Sequence, residues 1–170
     1  WSWSEVAHEV RSLAMGLKAL GFRHGDRLAI VGDNRPHLYW SMLAAQALGG
    51  IPVPMYQDAV AGEMRYVLSH AEVRYAIVED QEQTDKLLEI KNDCLTLEHI
   101  IYNDPRGLRN YTQPFLTSFA KVQELGHDEN NSHPTFFEDS IAKGTAEDLS
   151  VILYTSGTTG QSKGVMLTFA

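Results

Sequence analysis

Short unbroken apolar runs, each following a stretch of helical spacing, constrain this 170-residue chain more than any other feature. Arg27-Leu-Ala-Ile-Val-Gly-Asp33 follows a Gly25-Asp26 turn, and Arg74-Tyr-Ala-Ile-Val78, His99-Ile-Ile-Tyr102 and Val151-Ile-Leu153 repeat the type. Runs of this length and composition, bounded by turn residues, read as strands buried on both faces. Ile51-Pro-Val-Pro-Met55 is also extended, but Pro52 and Pro54 remove ladder donors and place it at an edge or make it irregular. Helix alternating with such strands predicts an α/β fold: parallel-sheet layers flanked by helices. There is no internal repeat.

The first helix is the best signposted. Ser2-x-x-Glu5 is a capping box, and Trp1 with Val6 is placed to staple it. Val6, Val10, Leu13, Ala14, Leu17 and Leu20 form one apolar stripe, and Gly21 stops it. Asn34-Arg-Pro36 opens a second helix, with Pro36 in its first turn, which runs to Gly49-Gly50. Gly32-Asp33-Asn34 lies at a strand end, where α/β folds often bind ligands, but a helix N-cap by Asp33 or Asn34 is the favoured reading. Further helices are expected over 61–71, 79–91, 113–125 and 135–143. The stretch from Gly126 to Pro134 reads as a polar loop.

Tyr154-Thr-Ser-Gly-Thr-Thr-Gly-Gln-Ser-Lys-Gly-Val165 carries the chemistry. Glycines let backbone N–H groups approach a ligand, hydroxyls donate hydrogen bonds, and a lysine supplies a point charge for phosphate. A strand followed by such a loop reads as a polyphosphate cradle, whereas a flexible linker needs neither the flanking apolar strands nor a fixed lysine. The loop fails the Walker A spacing: counting from Gly157, Ser162 stands where glycine is needed, and Gly164 stands where a Mg²⁺-binding hydroxyl is needed. Val165-Met-Leu-Thr168 continues as a strand, so a helix N-terminal anion site is not indicated.

The formal net charge of −8 argues against a nucleic-acid binder. Cys94 is the single cysteine, which precludes an internal disulfide and fits a cytoplasmic setting. The seven histidines never adopt metal-ligand spacing. No apolar run reaches the length of about 20 residues that spans a bilayer. Both ends read as cut, so the chain is expected to be a fragment.

The loop resembles the signature of the acyl-adenylate-forming (AMP-binding) superfamily, Tyr-Thr-Ser-Gly-Thr-Thr-Gly-x-x-Lys-Gly-Val, and matches it at every defined position. Gly21-Phe-Arg-His-Gly-Asp-Arg-Leu-Ala-Ile30, Leu43-Ala-Ala-Gln-Ala-Leu-Gly-Gly-Ile-Pro-Val-Pro54 and Val67-Leu-Ser-His-Ala-Glu72 extend the resemblance over nearly the whole chain. Ile100-Ile-Tyr-Asn-Asp-Pro-Arg-Gly-Leu108 makes it most similar to long-chain fatty acyl-CoA synthetases. One departure is Phe169, where family members often carry His or Asn.

The resemblance implies that residues 1–170 are the N-terminal portion of an adenylation domain, without the rest of the large domain or the small C-terminal domain. It implies two steps: a carboxylate attacks Mg²⁺·ATP to give an acyl adenylate and pyrophosphate, and the thiol of coenzyme A then displaces AMP. By motif match, Thr155, Ser156, Gly157, Thr158, Thr159 and Gly160 wrap the β- and γ-phosphates and Lys163 adds charge as the catalytic cation. Other catalytic groups of the family lie downstream, so the 170 residues are expected not to turn over alone. Partners implied are a fatty acid or other carboxylate, no nucleic acid, and a peripheral membrane contact through the substrate. Rival readings are an aryl- or medium-chain acyl-CoA synthetase, a peptide-synthetase adenylation domain, a P-loop NTPase or kinase, and a non-catalytic nucleotide-binding module.

Overall fold

The computed structural model describes residues 1–155 and 161–170. Five strands form one parallel sheet: β1 (Arg27–Val31), β2 (Ile51–Met55), β3 (Tyr75–Val78), β4 (His99–Tyr102) and β5 (Leu116–Ser118), in the order β2-β1-β3-β4-β5. The helices are α1 (Trp3–Ala19), α2 (Pro36–Ala47), α3 (Ala61–His70), α4 (Gln81–Ile90), α5 (Phe119–Ser132) and α6 (Phe136–Ala142). A separate antiparallel hairpin follows, β6 (Leu149–Thr155) and β7 (Lys163–Thr168).

The apolar strand runs are explained by two cores. Leu28, Ile30, Tyr75, Ile77 and Ile101 point to one face, where they meet α1, α2 and α5. Ala29, Val31, Val53, Ala76, Val78 and Ile100 point to the other, where they meet Met64, Val67 and Leu68 of α3 and Leu87 and Ile90 of α4. Successive side chains alternate faces, so burial on both faces demands an unbroken apolar strand. After β2 the chain reverses its direction across the sheet. Right-handed crossovers therefore put α2 on one face and α3 and α4 on the other. The prolines of β2 sit at the sheet edge, as the missing donors require.

At the N-terminal ends of three strands, Arg74 Nη1 donates to Asp26 Oδ2 at 2.7 Å and its Nη2 to Glu98 Oε2 at 2.6 Å. These bonds raise the Arg74 pKa and hold the Glu98 carboxyl below its ordinary value.

Two sequence expectations are corrected. Residues 113–125 are not one helix: Leu116–Ser118 add the fifth strand, and Ser118 then caps α5 by accepting from Lys121 N. The expected loop from Gly126 is helical through Ser132. His127, Asp128, Asn131 and Ser132 are exposed and Glu129 pairs with Lys18 of α1, while Gly126 sits where α5 meets α1: a Cβ there would fall on the Ser12 carbonyl oxygen and lie 2.8 Å from Gly16 N. Glycine is thus a close-packing residue here, and composition alone made it read as a turn. The capping box of Ser2 and Glu5 forms as expected, and the Trp1 ring meets Trp40 edge-on at 5.0 Å.

Candidate functional site

The hairpin is where the sequence places its phosphate chemistry. In β6, Ile152 is buried and Tyr154 half-buried toward the α3–α4 core, while Leu153 and Thr155 point the other way and are exposed. The register pairs Val151 with Leu167, Leu153 with Val165, Tyr154 with Gly164, and Thr155 with Lys163. A shift between Leu149 and Val151 leaves Ser150 outside the ladder. Its hydroxyl donates to the Leu167 and Thr168 carbonyls at 3.1 Å, and its own carbonyl accepts from Gln46 Nε2 at 2.8 Å. Such a bulge bends the strand, and Gln46 ties the base of the hairpin to α2.

At the other end, Thr155 and Lys163 are directly opposed and both exposed. Cross-strand neighbours of this kind hold their Cβ atoms about 5 Å apart. A hydroxyl donor and an ammonium thus share one side of the hairpin mouth. Lys163 makes no ion pair among the described residues. Ser156, Gly157, Thr158, Thr159 and Gly160, the remaining candidate phosphate ligands, lie outside the described residues.

Two residues beside the mouth have no role assigned from sequence. Tyr154 Oη lies 2.6 Å from His70 Nδ1, at the last turn of α3. The His70 ring stacks on Tyr66 at 5.3 Å and stands edge-on to Tyr154 at 5.8 Å. Burial pushes the Tyr154 phenol up, so it keeps its proton. His70 lies inside the Val67–Glu72 segment that carries the family resemblance, but nothing local gives it a role, and its partner is 84 residues away.

The carboxyl ends of β1 and β3 flank the crevice where sheets of this strand order commonly bind ligands. Here the Glu79 side chain fills it, its Oε2 accepting from Asp33 N at 2.6 Å and its Oε1 from Arg35 Nε at 3.2 Å. Gly32 passes so close that a Cβ would lie 2.7 Å from Glu79 Cβ. The expected side-chain N-cap of α2 is absent: Arg35 holds that position without a cap bond, and Asn34 Oδ1 accepts from Tyr39 instead.

A cavity of about 780 Å³ lies between α1, α2 and α6 and is lined by Val10, Phe22, Leu43, Phe136, Phe137 and Phe169, among others. It lies at the Leu149–Phe169 end of the hairpin, about 20 Å from the mouth by strand rise. Among the described residues no cluster of His, Cys, Asp and Glu is arranged to hold a metal ion. None of the described helices is long and apolar enough to cross a membrane.

Comparison with known proteins agrees with the geometry. The family model described as AMP-binding enzyme matches residues 1–170. The chain is 29% identical to long chain acyl-CoA synthetase 3 of Arabidopsis thaliana, over 98% of this chain and 25% of that protein. It is 30% identical to fatty acyl-CoA synthetase A of Dictyostelium discoideum (98% and 24%) and 34% identical to a long-chain-fatty-acid–CoA ligase of Homo sapiens (98% and 24%). The chain therefore spans about a quarter of the length of the curated relatives it matches. Among solved structures, an anthranilate CoA ligase in complex with anthranoyl-AMP superposes with a TM-score of 0.79 at 25% identity, over 96% of this chain and 29% of that one. A fatty acyl CoA synthetase of Mycobacterium tuberculosis superposes at 0.76 and 21% identity, over 99% and 29%.

Proposed function

The chain belongs to the AMP-binding enzyme family, and from that premise we propose that the protein is a long-chain fatty acid–CoA ligase whose ATP polyphosphate sits at the mouth of the β6–β7 hairpin. The observation that carries this reading is the pairing of Thr155 with Lys163 on the exposed side of that mouth. In the first step a fatty-acid carboxylate oxygen attacks the α-phosphorus of ATP. The bond to the bridging oxygen of the β-phosphate breaks, and pyrophosphate leaves. That leaving group gains negative charge as it departs, and donors and cations aimed at it lower the barrier. The Lys163 ammonium and Thr155 hydroxyl supply part of that field in this reading, with Ser156 to Gly160 completing the cradle. In the second step the sulfur of coenzyme A attacks the acyl carbonyl and AMP departs.

Mg²⁺ would neutralise phosphate charge when bound. No described residue cluster is built to hold it, so in this reading it arrives with the ATP polyphosphate. We also propose that these 170 residues do not turn over alone, because they correspond to about a quarter of each relative. The location we propose is cytoplasmic, with peripheral membrane contact through the long-chain substrate.

A second reading, an aryl-acid CoA ligase, draws support from the superposition on the anthranilate CoA ligase. Carboxylate-dependent ATP–pyrophosphate exchange in the full-length protein separates the two. Exchange peaking with long-chain acids supports the first reading, a peak with aryl acids supports the second, and exchange with neither class refutes both.

A further inference from the structure

The hairpin mouth is held to the sheet domain by a side chain that the phosphate motif does not contain. The Tyr154 ring lies over Gly164, its cross-strand partner: a Cβ on Gly164 would sit 3.2 Å from Tyr154 Cζ, 3.3 Å from its Cε2 and 3.1 Å from Ile152 Cγ2. A Cβ at 164 would crowd both the ring and Ile152. With glycine there, the ring spans from β6 across β7, and its hydroxyl ends 2.6 Å from His70 Nδ1. His70 is itself backed by the Tyr66 ring one helical turn earlier. The two residues so fixed, Tyr154 and Gly164, are the immediate chain neighbours of Thr155 and Lys163. A displacement of the Tyr154 ring would therefore move the backbone that carries both candidate phosphate ligands. The rest of the hairpin is held by β6 packing along β2, with Ile152 in the core, and at its far end by the bond from Gln46 to Ser150.

We propose that His70 is a positioning residue. Through its hydrogen bond to Tyr154 it fixes the mouth of the hairpin, and hence Thr155 and Lys163, in the orientation that receives the ATP polyphosphate. The proposal rests on the nucleotide reading above. His70 touches no reacting atom; it acts through Tyr154. Because the phenol keeps its proton, its O–H donates to Nδ1 in one imidazole tautomer, and its oxygen accepts from Nδ1–H in the other.

Two measurements on the full-length protein test this, with variants His70→Ala, His70→Asn and Tyr154→Phe. The first is amide hydrogen exchange at Thr155 and residues 161–164, which needs no activity. The second is the KM for ATP against kcat in pyrophosphate exchange. Losing one partly exposed hydrogen bond is expected to raise exchange at the mouth and the ATP KM about two- to fivefold in His70→Ala and Tyr154→Phe. The kcat and the amides of β1 and β3 should stay near wild type. His70→Asn places an amide near Nδ1 and should restore most of the effect, which a merely structural contact would not require. The double variant should be no worse than either single one.

Unchanged exchange at the mouth overturns the proposal whatever the enzyme does with ATP. Raised exchange with an unchanged ATP KM also overturns it, since the contact would then order the hairpin without serving the nucleotide. If the wild-type protein shows no ATP-dependent exchange of pyrophosphate at all, the nucleotide reading falls, and the proposal as stated falls with it. Mouth amides that still respond to His70→Ala would then leave a purely structural clasp, so the two failures are distinguishable.

Discussion

Replacing Gly126 by alanine tests the account of the α1–α5 contact, because the same substitution is expected to have opposite signs at two helical glycines. In an exposed helix, Gly→Ala stabilises by about 1 kcal/mol through helix propensity. Gly62, in the first turn of α3, has nothing within 4 Å of a would-be Cβ and should show that gain or part of it. At Gly126 the added carbon meets the Ser12 carbonyl oxygen, the Ser12 carbonyl carbon at 2.8 Å and Gly16 N at 2.8 Å, all of them backbone. Backbone has no rotamer by which to yield, so the helices must separate by roughly 1.5 Å to reach ordinary contact distance.

Overpacking of this kind costs about 1–3 kcal/mol, occasionally more. The separation also strains the bonds that span the contact, from Gln123 to Glu9 and Ser12, and the Lys18–Glu129 ion pair. A clash with rigid backbone takes the upper end of that range, about 3 kcal/mol, and set against the propensity gain it leaves a net loss of about 2 kcal/mol. Hydrogen exchange of α5 amides reads this locally, and such a loss corresponds to roughly a thirtyfold larger open population. Gly16→Ala meets the Val122 carbonyl across the same contact, so the double variant should lose less than the sum of the two. An α5 in Gly126→Ala that is protected as well as wild type, or better, would refute the reasoning.

Three further outcomes follow from the charges and the hairpin. Lys163→Ala should raise the ATP KM or lower exchange about ten- to a hundredfold, the weight of one charged phosphate contact; a neutral result in an active enzyme removes Lys163 from the site. Burial lowers the His99 pKa below about 6.5, its ring stacked on Tyr75 at 5.1 Å, so the unfolded chain takes up the proton first as pH falls. That contribution to stability is therefore present above about pH 6.5 and is lost as pH falls toward the folded value, and His99→Phe should flatten the melting-temperature profile between pH 7 and 5.5. The Glu98 carboxyl is held down chiefly by its hydrogen bonds from Arg74, so its contribution is present above about pH 4.5 and is lost as pH falls through its folded value. Glu98→Gln should make the acid limb below that pH shallower, by less than about 1 kcal/mol because the pair is partly exposed.

The sequence by itself determined the elements whose signal is local. The first helix is announced by a capping box within four residues, β1, β3 and β4 by apolar runs that only two-sided burial explains, and the edge position of β2 by two prolines. It also supplied the phosphate chemistry proposed for the hairpin, since that proposal starts from glycines, hydroxyls and one lysine in fixed order. What only the tertiary structure decided depends on partners far along the chain. Gly126 reads as a turn until Ser12 and Gly16 are seen against it. Three residues of β5 are too few to show periodicity and are strand only because β4 offers them a ladder. His70 gains a role from a tyrosine 84 residues away, and Glu79 closes the β1–β3 crevice by reaching across to Asp33 and Arg35. Propensity and pattern act over a few residues, whereas close approach and hydrogen-bond pairing belong to surfaces that exist only once the chain has folded.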